Sequence, residues 1–171
     1  MENLLPPELA RLANKVIEQN RKAGRRITVA ESCTGGLVAA ALTEVAGSSD
    51  VFDCGYITYS NDAKQAMVGV SGDLLETFGA VSIAVAWEMA QGALDKSGCD
   101  VAVAITGVAG PGGGTEKKPV GTVVFAKAEK GKSVDDVVAD RKNFGDDKSR
   151  ADIRLQAVLV ALELLLPDEA V

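Results

Sequence analysis

A serine in a turn that ends in two glycines is the first group in the sequence that could do chemistry. The segment Glu31–Gly36 separates a short β-prone run from an apolar helical stretch. Free backbone N–H groups and the positive end of a helix favour an anion there, either a ligand phosphate or the oxyanion of acyl transfer. Two alternatives stay open: Ser32 or Thr34 only caps the helix, or Cys33 is the nucleophile. The candidate ligand contacts in this turn are Cys33, Thr34, Gly35 and Gly36.

A nucleophile of this kind needs a base, and the 171 residues contain no histidine. Ser-His-Asp and Cys-His schemes and His-ligated metals are therefore excluded. Lys64 is predicted in the first turn of a short helix capped by Ser60 or Asn61, where the helix end lowers the pKa of its amine. A neutral lysine can deprotonate a serine, although a solvated surface lysine is the alternative. Tyr59 precedes this cap and is the tyrosine better placed to face the site.

A glycine-rich loop over residues 106–115 follows a continuous apolar run. It matches neither the P-loop pattern nor the dinucleotide-binding fingerprint. Its backbone could approach a ligand closely and donate N–H groups to it, and the candidate contacts are Thr106, Gly107, Gly110 and Gly112. The alternative is a flexible surface turn.

Two arginines, Arg150 and Arg154, lie four residues apart and so share one face of the predicted last helix. Two guanidinium groups could hold a phosphate or carboxylate by their fork geometry. The alternative is that they pair with nearby acids on a solvated surface.

The composition limits the kinds of molecule that the protein can bind. With 18 Lys and Arg against 24 Asp and Glu, the net charge is −6, which argues against direct nucleic-acid binding but leaves a small anionic ligand possible. Three cysteines without a C-x-x-C pair suit reduced thiols. The sequence has neither a secretory leader pattern nor 18 consecutive apolar residues. We therefore expect a cytoplasmic protein without a membrane segment.

Alternating helical and β-prone segments must position these groups. We expect helices near residues 8–24, 37–45, 60–67, 71–78, 82–96 and 148–166, and strands near 27–30, 52–59, 101–105, 121–129 and 134–144. The pattern predicts a single α/β domain over 1–171, a three-layer α/β/α sandwich with a mixed, mostly parallel sheet of about five strands. Ligands bind beyond the carboxyl ends of parallel strands, so the turn at 31–36 and the loop at 106–115 should meet.

Five segments, in this order along the chain, resemble the C-terminal domain of the competence/damage-inducible CinA proteins. They are AESCTGG at 30–36, YSNDAK at 59–64, GAVS at 79–82, ITGVAGPGG at 105–113 and KPVGTV at 118–123. The resemblance covers about residues 8–166, and the chain is similar to the form of this domain that exists alone. It departs from the family's pattern at 145–150, where GDDKSR replaces a shorter Gly-Asp-Arg run, and this leaves the choice between Arg150 and Arg154 for phosphate open.

The resemblance implies hydrolysis of the carboxamide of nicotinamide mononucleotide to nicotinate mononucleotide and ammonia, in pyridine nucleotide salvage. It implies Ser32 as nucleophile, Lys64 as base and Tyr59 as an orienting hydroxyl, with no metal and no cofactor. Backbone N–H groups of residues 33–36 or 107–112 would hold the oxyanion. Ser48, Ser49 and Ser60 are further serines in matching segments. The alternatives are a non-catalytic nucleotide-binding or regulatory module and, less strongly, a protein partner in DNA uptake; we also expect a homodimer.

Overall fold

A five-stranded sheet forms the centre of the computed structural model, which describes residues 4–168. The strands are β1 (Ile27–Glu31), β2 (Phe52–Ile57), β3 (Val101–Gly107), β4 (Thr122–Glu129) and β5 (Val138–Asn143), in the order β2-β1-β3-β4-β5. β1 pairs in parallel with β2 and β3, whereas β4 pairs antiparallel with β3 and β5. Four strands therefore run in one direction, and only β4 opposes them. The mixed sheet and its final hairpin are confirmed.

In the described part of the chain, six helices cover the two faces of this sheet. They are α1 (Pro7–Lys22), α2 (Leu37–Thr43), α3 (Asn61–Val68), α4 (Gly72–Phe78), α5 (Ile83–Ser97) and α6 (Arg150–Leu165). α1, α2 and α6 pack on one face, and α3, α4 and α5 pack on the other. This is the predicted three-layer sandwich. Within residues 4–168, no helix has the length and apolar character needed to cross a membrane.

The core is divided between the two faces of the sheet. Alternate residues of the buried strand β3 serve the two sides: Val103 packs with the α1, α2 and α6 layer, and Ala104 with the α5 layer. The layer formed by α3, α4 and α5 is closely packed, because a Cβ on Gly92 of α5 would lie 1.8 Å from the Val68 carbonyl oxygen of α3. Backbone contact with α5 therefore positions α3, the helix that carries Lys64.

Three strand boundaries differ by two or more residues from the sequence prediction. β2 ends at Ile57 and not at residue 59, so Tyr59 lies after the strand and not on it. β3 continues through Thr106 and Gly107, because both residues pair with β4, so the glycine-rich loop begins at Val108. Residues Val134–Asp136 form a short 3₁₀ turn ahead of β5. The Asp136 carboxylate accepts the Ser133 N–H there at 3.0 Å, and local side-chain bonds of this kind compete with strand pairing.

Candidate active site

A buried lysine and a serine from different layers meet at the carboxyl edge of the sheet. Lys64 Nζ lies 3.0 Å from Ser32 Oγ and donates to the Thr58 carbonyl oxygen at 2.8 Å. Ser32 directly follows β1, Thr58 directly follows β2, and Lys64 is on α3. Because β1 and β2 are parallel neighbours, their carboxyl ends bring these residues together.

The surroundings of Lys64 favour the uncharged form of its amine. Only 1% of the residue is exposed, and burial lowers the pKa of the Lys64 amine because the ammonium form loses its hydration. The predicted direction of the pKa shift is confirmed, but its cause is burial and not the helix end. Ser60 caps α3 as expected, since its hydroxyl accepts the Ala63 N–H.

The turn between β1 and α2 is organised by Glu31. The α2 N-cap is Gly36, at φ +95°, with no side-chain cap of its own. Instead the buried Glu31 carboxylate accepts the N–H groups of Gly36, Val38 and Ala39. The prediction that Ser32 or Thr34 caps α2 is therefore wrong. Since Glu31 occupies this helix end, a ligand anion cannot use those three N–H groups.

Cys33 is poorly suited to act as the nucleophile. Burial, with a smaller contribution from the negative charge of Glu31, raises the pKa of its thiol to about 11. A thiol with this pKa is almost entirely protonated near neutral pH, and the thiolate is the reactive form. Between the two adjacent candidates, the surroundings favour Ser32.

The serine and lysine open into a cavity of about 300 Å³. The residues that line it are Ser32, Cys33, Tyr59, Asn61, Lys64, Ala80, Val81, Thr106, Gly107, Ala109 and Arg150. The prediction that the turn at 31–36 meets the segment at 106–115 is confirmed, because residues of both line this cavity. Asn61, Ala80, Val81 and Ala109 are additions to the predicted site. Their presence in the family-like segments was the only signal in the sequence that could have found them.

Arg150 connects three segments at the mouth of this cavity. Its guanidinium donates to the Gly110 carbonyl oxygen at 2.6 Å and to Tyr59 Oη at 3.2 Å. Tyr59 is 62% exposed, so its ring lies at the rim. Arg150 also lines a neighbouring cavity of about 500 Å³ beside the 111–120 loop, together with Lys148 and Ser149.

Arg154 has a different position from Arg150, although both are on α6. Its Nε donates to the Cys33 carbonyl oxygen and its Nη2 to that of Thr34, both at 3.1 Å. These two bonds hold the outer side of the turn that carries Ser32. The predicted role of Arg154 in phosphate binding stays a prediction, and the contacts present are to the protein backbone.

The other predicted site residues divide into two groups. Thr106 lines the cavity, and its hydroxyl donates to the Ala80 carbonyl oxygen at 2.9 Å. Gly107 also lines it, and a Cβ there would lie 2.8 Å from the Val123 side chain. The following predicted residues do not line this cavity in the described structure: Thr34, Gly35, Gly36, Gly110, Gly112 and Arg154. Of the alternative serines, Ser48 and Ser49 lie in the Ser48–Asp50 3₁₀ turn.

These features define an α/β sandwich protein with a buried serine–lysine pair at the carboxyl edge of its sheet. The chain belongs to the CinA C-terminal domain family, whose model matches residues 9–168.

Curated relatives and solved structures agree with this assignment. A nicotinamide-nucleotide amidohydrolase PncC from Enterobacter agglomerans is 50% identical over 140 residues, which are 82% of each chain. The protein of that name from Escherichia coli K12 is 46% identical over 92% of this chain and 93% of its own. In the CinA-like protein of Mycobacterium avium, the match covers only 33% of the relative. The crystal structure of competence/damage inducible protein CihA from Agrobacterium tumefaciens superposes with a TM-score of 0.89 at 48% identity, covering 95% of this chain and 96% of that one.

Proposed function

We propose that this protein hydrolyses the carboxamide of nicotinamide mononucleotide to nicotinate mononucleotide and ammonia, with Ser32 as nucleophile and Lys64 as base. The observation that carries the proposal is the 3.0 Å contact between Lys64 Nζ and Ser32 Oγ in a site where burial lowers the pKa of the amine. The similarity to two nicotinamide-nucleotide amidohydrolases over most of the chain supports the substrate. In the cell, the product would enter pyridine nucleotide salvage.

The first half of the reaction would make an acyl-enzyme. The neutral Lys64 amine accepts the Ser32 hydroxyl proton while Oγ bonds to the carboxamide carbon, and the carbonyl oxygen becomes an oxyanion. The bond from Nζ to the Thr58 carbonyl oxygen would keep the amine beside Oγ during this transfer. When the tetrahedral intermediate collapses, the C–N bond breaks and the Lys64 ammonium gives its proton to the departing nitrogen. Ammonia leaves, and Ser32 carries the nicotinoyl ester.

The second half would return the enzyme to its starting state. Lys64, again neutral, accepts a proton from a water molecule as the water oxygen attacks the ester carbon. The C–Oγ bond then breaks, and Oγ takes the proton back from Lys64. One water is consumed and one carboxylate product is released, and no step needs a metal or an organic cofactor.

The oxyanion would be held by backbone N–H groups at the start of the turn. Gly36 donates to Glu31 and Gly35 donates to the Ser32 carbonyl oxygen, so both are already engaged. The N–H groups of Cys33 and Thr34 have no acceptor in another described residue. We assign these two groups to the oxyanion, since preorganised donors beside the nucleophile stabilise the charge that develops there.

The nucleotide's phosphate would lie toward Arg150. The residues that line the 300 Å³ cavity include this arginine and no carboxylate, so an anionic substrate meets a favourable charge. The neighbouring 500 Å³ cavity is lined by Lys148 but also by Glu116 and Asp146, so it adds no net positive charge and Arg150 is the cation we assign to the phosphate. In this arrangement the carboxamide reaches Ser32 while the phosphate stays near the rim.

The test is ammonia release from nicotinamide mononucleotide by the purified protein after treatment with EDTA. We expect turnover without added metal, with equal amounts of ammonia and nicotinate mononucleotide. Binding of the nucleotide without any turnover would reject the proposal and favour a binding or regulatory module. Turnover that disappears with EDTA and returns with a divalent cation would reject the Ser/Lys mechanism.

A further inference from the structure

Glu31 is a buried acid that, among residues 4–168, neither lines the cavity nor pairs with a basic side chain. It is 0% exposed, and its carboxylate accepts three backbone N–H groups at the start of α2. The donor–acceptor distances are 3.0 Å to Gly36, 3.2 Å to Val38 and 2.9 Å to Ala39. The side chain therefore spans the whole turn that contains Ser32, from the end of β1 to the first turn of α2.

The backbone of the same residue supports the lysine side of the site. The Glu31 carbonyl oxygen accepts the Thr58 N–H at 2.8 Å and the Thr58 hydroxyl at 3.3 Å. The Thr58 carbonyl oxygen in turn accepts from Lys64 Nζ at 2.8 Å. Glu31 is thus joined to Ser32 by a peptide bond and to Lys64 through one intervening residue.

Capping a helix does not by itself require this arrangement. In α3, α5 and α6, a serine at the N-cap accepts an N–H of the first turn with its own hydroxyl. α2 begins at a glycine and takes its acceptor from a strand residue five positions earlier. A buried carboxylate costs more to desolvate than a hydroxyl, so helix capping alone leaves the choice of Glu31 unexplained.

We propose that Glu31 is a positioning residue, which holds the Ser32 turn closed against α2 so that Oγ stays within reach of Lys64. The proposal rests on the proposed function of the Ser32–Lys64 pair. The negative charge of Glu31 also disfavours the thiolate form of the adjacent Cys33, because the two side chains are buried close together.

The variant Glu31→Gln tests this with little change in volume. One carboxylate oxygen becomes an NH₂ group, which cannot accept an N–H, so part of the three-bond anchor is lost. A misplacement of about 1 Å can cost about 100-fold in rate. We therefore expect kcat to fall by about 10- to 100-fold while KM changes by less than about twofold, because the residues that line the cavity remain.

Glu88→Gln is the matched control. The Glu88 carboxylate accepts the Ser71 N–H at the start of α4 at 2.7 Å, so this variant also weakens a carboxylate anchor at a helix start, away from Ser32. Both variants are assayed well below their Tm values. The control should keep the wild-type kcat. A wild-type kcat in Glu31→Gln, or an equal fall in both variants, would overturn the positioning role.

Two further measurements separate this proposal from the proposed function. Amide hydrogen exchange at Gly36, Val38 and Ala39 should accelerate in Glu31→Gln and not in Glu88→Gln; unchanged exchange would overturn the anchor itself. The rate at which phenylmethylsulfonyl fluoride modifies Ser32, read by mass spectrometry, needs no natural substrate. Slower modification in Glu31→Gln supports positioning even if the mononucleotide is not hydrolysed, whereas wild-type modification rates contradict it.

Discussion

In the proposed mechanism, the Lys64 amine has to be uncharged when it accepts the proton of Ser32. Burial favours the uncharged form by lowering the pKa of the amine, and the bond to the Thr58 carbonyl oxygen holds Nζ 3.0 Å from Oγ. A lysine in this state can do the work that histidine does in other serine hydrolases, which explains how a chain with no histidine could hydrolyse an amide. Two predictions at the residue scale follow from the charge state of this amine.

Removing either member of the pair should abolish turnover. We expect Ser32→Ala and Lys64→Met each to lower kcat by more than about 1,000-fold, and Lys64→Arg to be equally inactive because a guanidinium does not give up its proton. Ammonia release measures the loss, and circular dichroism checks the fold. Lys15→Met, an exposed lysine on α1, is the control. Substantial turnover in Ser32→Ala would mean that another group is the nucleophile.

The pH dependence should follow the same amine. Since the neutral form is the base and burial lowers the pKa of Lys64, activity should rise with pH and be lost as pH falls below that pKa. The midpoint should lie below the ordinary lysine value of about 10.4. The profile of kcat/KM from about pH 6 to about pH 10 measures it. A kcat/KM that stays constant or falls as pH rises would show that protonation of Lys64 does not inactivate the protein.

At the scale of elements, two residues of the same helix, α6, contact different parts of the site. Arg150 and Arg154 differ by one helical turn, yet Arg150 contacts Tyr59 and the Gly110 carbonyl at the rim, and Arg154 contacts the backbone of the Ser32 turn. α6 therefore supports two different parts of the site. α3 is positioned in turn by its contact with Gly92 of α5.

The two arginines should give different phenotypes. Arg154→Ala removes two bonds to backbone carbonyls and should lower the free energy of unfolding by about 2 kcal/mol, which is about 4–8 °C in Tm for a chain of this size. Arg150→Ala should mainly raise KM for nicotinamide mononucleotide, and much less for the riboside, which has no phosphate. Calorimetry and steady-state kinetics measure the two effects. Equal KM changes for nucleotide and riboside would contradict a phosphate role for Arg150.

The substitution Gly92→Ala, which adds one methyl group, tests the close contact between α5 and α3. In Gly92→Ala the new Cβ would overlap the Val68 carbonyl oxygen, so α3 must shift, at a cost of about 1–3 kcal/mol. Because α3 carries Lys64, kcat should fall together with the Tm. Gly72→Ala in α4 is the matched control, since its Cβ would meet only the flexible Gln65 side chain. A destabilised Gly92→Ala with wild-type kcat would show that α3 tolerates the shift.

At the scale of the whole molecule, both helical layers pack on one sheet. Residues that follow β1 and β2 and residues of β3, α3 and α6 contribute to the candidate site, so losing either layer would disassemble it. The cavity and the serine–lysine pair should therefore depend on the folding of the complete domain. The homodimer expected from the sequence stays a prediction.

A single domain should unfold in one transition. We expect urea denaturation curves from Trp87 fluorescence, which reports on α5, and from far-UV circular dichroism, which reports on all helices, to coincide. Two-state unfolding is usual for single domains of up to about 150 residues, and we expect it here because both helical layers pack on the same sheet. Separate midpoints for the two probes would indicate that the layers unfold independently, against the single domain predicted over residues 1–171.

Local patterns were sufficient for the order of elements. Apolar spacing and glycine positions predicted the helices, the strands and the sandwich, because backbone preference and the burial of one face act over a few residues. The absence of histidine directed attention to Lys64. Residue types alone left Ser32, Thr34 and Cys33 open, and the choice of Ser32 came from the resemblance of the segment at 30–36 to CinA C-terminal domains.

Only the tertiary structure decided how those residues are held. Lys64 is 32 positions from Ser32, and Arg154 is 121 positions from Cys33, so their contacts depend on strand register and helix orientation. The cap of α2 could not be assigned locally, because Glu31 competes with Ser32 and Thr34 for the same N–H groups. The burial that lowers the pKa of Lys64 likewise exists only when both layers have packed. Long-range contacts are properties of the assembled fold, and short sequence patterns do not contain them.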